Sequence, residues 1–432
     1  MKKEFKIGSR WIGEGHPAYI IAEMSANHAG SMERAKEIIR AAKESGADCI
    51  KIQTYTPDTI TIDCHNEYFQ IEKGTWEGEN LYGLYGKAYT PWEWQGELKE
   101  EADKGGIDFL STPFDKTAVD FLEDIGLEFY KIASFELVDI PLISYVASKG
   151  KPMIMSTGMA TLEEIEEAVN AVKAAGLKEL VVMKCSSAYP ALPEDMHLRT
   201  ISDLQEKLDL PIGLSDHSMG SMSAATAVAL GACVIEKHFC LGREIENPDS
   251  SFSMNPEEFA QMVREVRCVE AALGKPTYGV CKQEESNIGF RRSLFVVKDI
   301  AKGEVFTEEN VRSIRPANGL KPIFMQDVLG LKAGRDLPFG TPLTFDALEK
   351  GAEVFLTGDE EVKRICESRK EKGKTAFCIQ NKVTLEMLNQ MEPSRIYVCN
   401  YGHVISEEIT DAMKEKMEMF STPQQLAAGV KV

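Results

Sequence analysis

The sequence predicts an α/β protein: a (β/α)8 barrel, then a small β-rich domain, then a C-terminal α/β extension of unknown type. Three observations lead there. Short apolar runs alternate with amphipathic helical stretches from residue 19 onward. The runs are continuous rather than alternating, as in a parallel sheet covered on both faces. No Gly-rich phosphate turn follows the first run, which disfavours an open dinucleotide-binding sheet.

The runs are 19–25, 49–55, 108–114, 129–134, 152–158, 180–187, 211–217 and 233–239. Helices such as 31–45 and 161–175 lie between them, and Gly46, Gly150, Gly176 and Gly231 stand where helices end. Eight repeats of strand then helix fit a closed barrel better than an open sheet. The barrel is expected over 1–275 and a linker over 276–289. A small β-rich domain with the turn Arg315-Pro316-Ala317-Asn318-Gly319 is expected over 290–349. Beyond 350 two modest helix–strand alternations follow, without a chemical motif, and 424–432 reads as a frayed tail.

Lys plus Arg number 49 against 68 Asp plus Glu, a net charge of −19 that disfavours nucleic acid and anionic membrane as partners. A composition 43% hydrophobic and 27% charged excludes disorder as the main state. No apolar run approaches the ~20 residues that span a bilayer, and the N-terminus forms no signal peptide. Ten cysteines without a Cys-x-x-Cys read as reduced thiols of a cytoplasmic protein.

In such a barrel the chemistry sits at the C-terminal strand ends. There the sequence places Glu23 with Asn27 and His28, Lys51 and Gln53, Ser111-Thr112, then Lys131, Ser134 and Glu136. Ser156-Thr157, Lys184 with Ser186-Ser187 and Tyr189, Ser215-Asp216-His217 and Glu236-Lys237-His238 complete the ring. Lysines interrupting buried strands cost several kcal/mol unless paired, on the order of the buried-charge penalty. Several of them converging on one mouth make an anion site. His217 and His238 end adjacent strands, so two neutral imidazoles can share a divalent cation that keeps positions open for water and substrate. Each histidine alone could equally be a satisfied core residue. A phosphate site beside a metal suits phosphoryl chemistry or a condensation of a phosphorylated nucleophile.

The motifs Ala22-Glu23-Met24-Ser25-Ala26-Asn27-His28, Lys51-Ile52-Gln53-Thr54, Ser111-Thr112-Pro113-Phe114 and Tyr130-Lys131-Ile132-Ala133-Ser134 resemble the sialic acid synthase family. So do Ser156-Thr157-Gly158-Met159, Gly213-Leu214-Ser215-Asp216-His217, Glu236-Lys237-His238-Phe239 and Asn247-Pro248-Asp249. The likeness runs from about residue 6 to 348, and the small domain resembles the family's antifreeze-like (SAF) module. It implies condensation of phosphoenolpyruvate with an open-chain amino sugar to a nine-carbon 2-keto acid and phosphate. The segment 75–94, with three of the four tryptophans, resembles the branch that makes pseudaminic acid from a diacetamido-trideoxy-altrose. Neuraminate and legionaminate synthases share the chemistry and remain alternatives, as does a non-catalytic sugar-binding protein on the same fold.

The resemblance implies phosphoenolpyruvate on Lys51, Thr112, Lys131, Ser134, Ser156, Ser187 and Ser215. It implies Mn²⁺ or Mg²⁺ on His217 and His238 and places Glu23 at the acceptor sugar. Such a reaction needs a base for the attacking water, and Glu23 is the candidate. The sugar falls to Gln53, Glu136, Tyr189, Asp249 and Arg315, and the aromatic segment adds Trp76 and Trp92. Two positions depart from the family: Ser187 stands where it carries Asn, and Ala317 where Gly commonly follows Arg-Pro. A domain-swapped homodimer is implied, with Arg315 reaching the neighbouring site.

Overall fold

The computed structural model describes residues 1–372 and 374–428. They form two compact units, Met1–Pro276 and a second beginning at Thr277. The first opens with an antiparallel hairpin, β1 (Glu4–Ile7) and β2 (Arg10–Gly13). Eight parallel strands follow: β3 (Tyr19–Glu23), β4 (Cys49–Thr54), β5 (Asp108–Pro113), β6 (Tyr130–Ile132), β7 (Met153–Ser156), β8 (Leu180–Cys185), β9 (Ile212–Asp216) and β10 (Val234–His238). They close into a barrel in chain order, with β10 paired back to β3. This is the fold class the apolar runs predict.

Alternation along each strand divides the residues between two cores. Ile20, Ala22, Ile50, Ile52 and Val182 face the helices. Tyr19, Ile21, Cys49, Phe129, Ile154, Met183 and Val234 fill the bore, and Phe5, Ile7 and Ile12 of the hairpin plug its N-terminal end. That plug escapes the sequence reading because its strands are only four residues long. The next inward residue above Ile21 is Glu23, above Cys49 Lys51, above Phe129 Lys131, above Ile154 Ser156 and above Val234 Glu236. The period of two therefore stacks a polar layer on the apolar ones at the C-terminal mouth. The same parity turns Lys184 outward, between inward Met183 and Cys185. Its ammonium donates to Cys185 O at 2.8 Å and Ser186 Oγ at 3.1 Å, so Lys184 does not join the lysines of the mouth.

The second unit holds the antiparallel pair β11 (Ser293–Val296) and β12 (Val311–Ile314). It also holds a parallel sheet of β13 (Glu353–Leu356), β14 (Ala376–Ile379), β15 (Arg395–Cys399) and β16 (Met417–Phe420), ordered β14-β13-β15-β16. The extension is thus a four-stranded parallel fold, larger than the two alternations expected. Pro423–Ala428 is helical where a frayed tail is expected, and the rest of that tail, 429–432, lies outside the described residues. Phe306, Val311 and Phe345 share one apolar cluster with Val354, Phe377 and Ile396, so the extension and the β-rich part have a common core.

Asp327 lies in this unit, with Oδ2 buried and unpartnered. Burial pushes its carboxyl up to about 7, against a hydrogen bond from Asn381. Well below pH 4 the proton is held in folded and unfolded chains alike. As pH rises from about 4 to 7 the unfolded chain loses it first, so stability falls, and above 7 the loss is complete. Asp327→Asn should remove a destabilisation on the order of 2 kcal/mol at pH 8 and little at pH 4. Thermal melts at the two pH values test this; equal shifts at both would contradict it.

Candidate active site

Glu236 is the hub of the mouth. Its Oε1 accepts from Lys51 Nζ at 2.8 Å, Lys131 Nζ at 3.3 Å and Ser215 Oγ at 3.1 Å. Lys51 Nζ also stands 2.9 Å from Glu23 Oε2, and Gln53 Nε2 donates to Glu23 Oε1 at 3.2 Å. All four charged side chains are at most 5% exposed, so each survives in the bore only through its opposite. Burial pushes Glu23 up to about 7 against the pull of Lys51. Burial opposes the charge of Glu236 too, but Lys131 and Lys51 outweigh it and hold that carboxyl well below the ordinary range. At Lys51 the two carboxylates overcome burial and raise the ammonium, whereas at Lys131 burial prevails and lowers it.

Around this lattice Thr112 Oγ1, Ser156 Oγ, Glu136 Oε2 and His238 Nδ1 are buried without a protein partner. Buried polar atoms are almost always satisfied, so four orphans about one mouth mark a site for a polar ligand. Burial pushes the Glu136 carboxyl up to about 7. Ser134 Oγ accepts from Gly158 N at 3.0 Å. A Cβ on Gly158 would lie 2.0 Å from Ser187 Oγ and 2.8 Å from Ser134 Oγ, so the two hydroxyls meet over a residue whose lack of a side chain leaves them room. Ser187 therefore faces the mouth despite departing from the family's Asn.

The rings of His217 and His238 are 5.3 Å apart. The Ser186 carbonyl, 3.0 Å from His217 Nδ1, takes a proton from that nitrogen, so Nε2 is the atom that can ligate when the ring is neutral. Among the described residues no group of three or more His, Cys, Asp or Glu is placed to hold a metal. The protein thus offers two imidazoles, and water and substrate oxygens must complete any coordination shell, which fits an open catalytic site. Behind the histidines Lys237 donates to Asp216 at 2.7 Å, and Asp216 accepts from the Ser218 backbone and hydroxyl, fixing the chain after His217. Cys185, read from the sequence as core, stands 3.8 Å from His217 Nδ1. Burial opposes its ionisation, but His217 brings the thiol down to about 6. Its inward parity beside Met183 is the signal that could have placed it here.

Tyr189 packs 4.3 Å from the His217 ring, and Phe252 lies 5.0 Å from His238. Asp249 is buried and accepts from Ala26 N at 3.0 Å. Trp76 donates its indole N–H to Pro248 O at 2.9 Å and packs 5.4 Å from Tyr189, while Thr75 Oγ1 bonds Tyr189 O. Trp92 is not drawn in: it donates to Tyr55 O at 3.1 Å and stacks 4.9 Å from Phe121. Tyr85, missed in the sequence, packs on Tyr55 at 5.6 Å, and burial together with the field of Glu136 raises its hydroxyl pKa. His28 is a neutral packing residue, lowered to about 4 by burial, against Trp94 and Thr90. Arg315 is exposed in the second unit, directly after β12. A cavity of about 730 Å³, lined by Pro17, Leu210, Val228 and Leu273, opens at the opposite end of the barrel and holds none of these groups.

Glu236→Gln leaves two buried ammonium groups facing one carboxylate. It should cost about 3–5 kcal/mol in urea unfolding; a loss under about 1 kcal/mol, the range of exposed pairs, would show that the lattice does not hold the lysines.

The NeuB family matches residues 38–278 and the SAF domain residues 291–349. A pseudaminic acid synthase of Campylobacter jejuni is 48% identical over 75% of this chain and 95% of its own length. One of Helicobacter pylori is 43% identical over 77% and 98%. Among solved structures, an N-acetylneuraminic acid synthetase of Leptospira borgpetersenii in complex with citrate matches with a TM-score of 0.59 at 33% identity, over 66% of this chain and 95% of that one.

Proposed function

The chain belongs to the NeuB family, and we propose that it condenses phosphoenolpyruvate, 2,4-diacetamido-2,4,6-trideoxy-L-altrose and water to pseudaminic acid and phosphate. The observation that carries the reading is the lysine–carboxylate lattice ringed by orphaned hydroxyls at the barrel mouth. Such a set holds a carboxylate and a phosphate together, which a neutral sugar-binding protein does not require.

In this reading Lys51, Lys131, Thr112, Ser134, Ser156, Ser187 and Ser215 hold the enol phosphate. Its C3 attacks the aldehyde carbon of the sugar, held by Gln53, Glu136, Tyr189 and Asp249. A water then adds to the cation at C2, and the hemiketal collapses to the ketone with release of phosphate. Glu23, raised to about 7, takes the proton of that water, and the alkoxide formed from the aldehyde receives it in return. A divalent cation on His217 and His238, Mn²⁺ or Mg²⁺, supplies Lewis-acid polarisation of the aldehyde when bound. Trp76, fixed beside Tyr189 and Pro248, offers an apolar face to the 6-methyl and acetamido groups.

The same reading makes the protein a cytoplasmic, domain-swapped homodimer with Arg315 completing the neighbour's mouth. Exposed Phe135, Val138, Met159, Leu192 and Met219 follow barrel strands and offer an apolar rim for such a cover. Among the described residues no helix is long and apolar enough to cross a membrane.

Product analysis by NMR with competing amino sugars tests the assignment. The altrose derivative should show the higher kcat/KM, Trp76→Ala should reduce its advantage about tenfold, and Trp92→Ala should lower Tm instead. A higher kcat/KM for N-acetylmannosamine, or for the legionaminate precursor, would transfer the assignment to that branch. Chelation should abolish turnover, and His217→Ala should weaken Mn²⁺ binding measured by calorimetry. Full turnover in metal-free protein would exclude the metal role.

A further inference from the structure

We propose that Ser25 is a positioning residue for the acceptor sugar, its hydroxyl holding Gln53 while its turn holds Asp249; this rests on the acceptor roles given to those two residues above. Ser25 opens the short turn Ser25–His28 after β3, is 7% exposed, and has φ +46°. That is left-handed backbone, where glycine is at ease and a Cβ meets the neighbouring carbonyl. Of the other non-glycine residues with positive φ, Ala29, Asp209 and Glu392 end helices, where such a conformation is ordinary, whereas Met159, His197 and Asn400 lie in loops. Ser25 ends none.

What serine adds over glycine here is a hydroxyl, and that hydroxyl is used: its oxygen accepts from Gln53 Nε2 at 3.1 Å. Gln53 Nε2 reaches Glu23 as well, and Asp249 Oδ2 takes the Ala26 N–H at 3.0 Å from the same turn. Burial raises the Asp249 carboxyl, and the nearby Ser25 hydroxyl and Ala26 N–H oppose that rise. Glu23, Gln53 and the Ser25–Ala26 turn therefore join β3, β4 and the loop after β10. The hydrogen bond of the hydroxyl to Gln53 does not involve the residues assigned to phosphoenolpyruvate. Strained backbone persists where its surroundings over-determine it, and here it holds a turn between two acceptor-facing groups. Without the hydroxyl the Gln53 amide nitrogen loses one of its two partners among the described residues, and the turn is tied to Asp249 by its backbone.

The test compares Ser25→Gly and Ser25→Ala with wild type. Both lose the hydroxyl, but only alanine keeps a Cβ in left-handed backbone. The acceptor KM should rise about tenfold in both, with the calorimetric Kd for phosphoenolpyruvate within about twofold of wild type. The glycine variant should melt above the alanine variant, so function and stability part company. Ser25→Gly with wild-type KM would overturn the proposal, as would an equal loss of phosphoenolpyruvate affinity in both variants. Wild-type phosphate release with the altrose derivative is measured first. Its failure would overturn the reaction assignment, and the Ser25 role with it; its success with an unchanged Ser25→Gly would overturn the Ser25 role alone.

Discussion

Two lysines remain inside the bore of this barrel because Glu236 stands between them. Lys51 and Lys131 both donate to one carboxylate oxygen, which also takes the Ser215 hydroxyl. The hairpin plug and the apolar layers below leave those charges no route to solvent except through the mouth. In so enclosed a place an unpaired ammonium is expensive, so the lattice decides what the mouth can be: a fixed, desolvated array of paired charges ringed by unpartnered hydroxyls.

The mouth has two halves that meet at Glu23. On one side Glu23 pairs with Lys51 and, through it, with Glu236; on the other it takes Gln53 and, through the Ser25 turn, the loop carrying Asp249. His217 and His238 lie alongside, walled by Tyr189 and Phe252. The long connection after β4 reaches back over this wall and is pinned there by Thr75 and Trp76. Glu23, which burial raises to about 7 and which pairs with Lys51 and Gln53, is the group to which the proposed reaction assigns the proton of the attacking water.

The barrel strands were legible because nearly all their residues are buried and their runs are therefore mostly apolar; the polar residues that end the runs announced the mouth. Which way a residue points was less legible. Lys184 resembles Lys51 as an ion interrupting apolar neighbours, and only the register shows that one faces out and the other in. Trp76 and Trp92 are sixteen residues apart in one aromatic segment, and the fold sends one to the mouth and the other onto Phe121. The four-residue strands β1, β2, β13 and β16 are too short to carry a period. The left-handed turn at Ser25 left no sequence signal, since glycine is the residue that usually marks one.

The central claim is that the orphaned hydroxyls and the paired lysines form one phosphoenolpyruvate site. A crystal structure of the protein with phosphoenolpyruvate tests it most directly. The account predicts the ligand at the C-terminal mouth, within hydrogen-bonding distance of Lys51 or Lys131 and of Thr112 Oγ1 and Ser156 Oγ. Phosphoenolpyruvate bound elsewhere, in the cavity at the opposite end of the barrel for instance, with those hydroxyls still unpartnered, would contradict it.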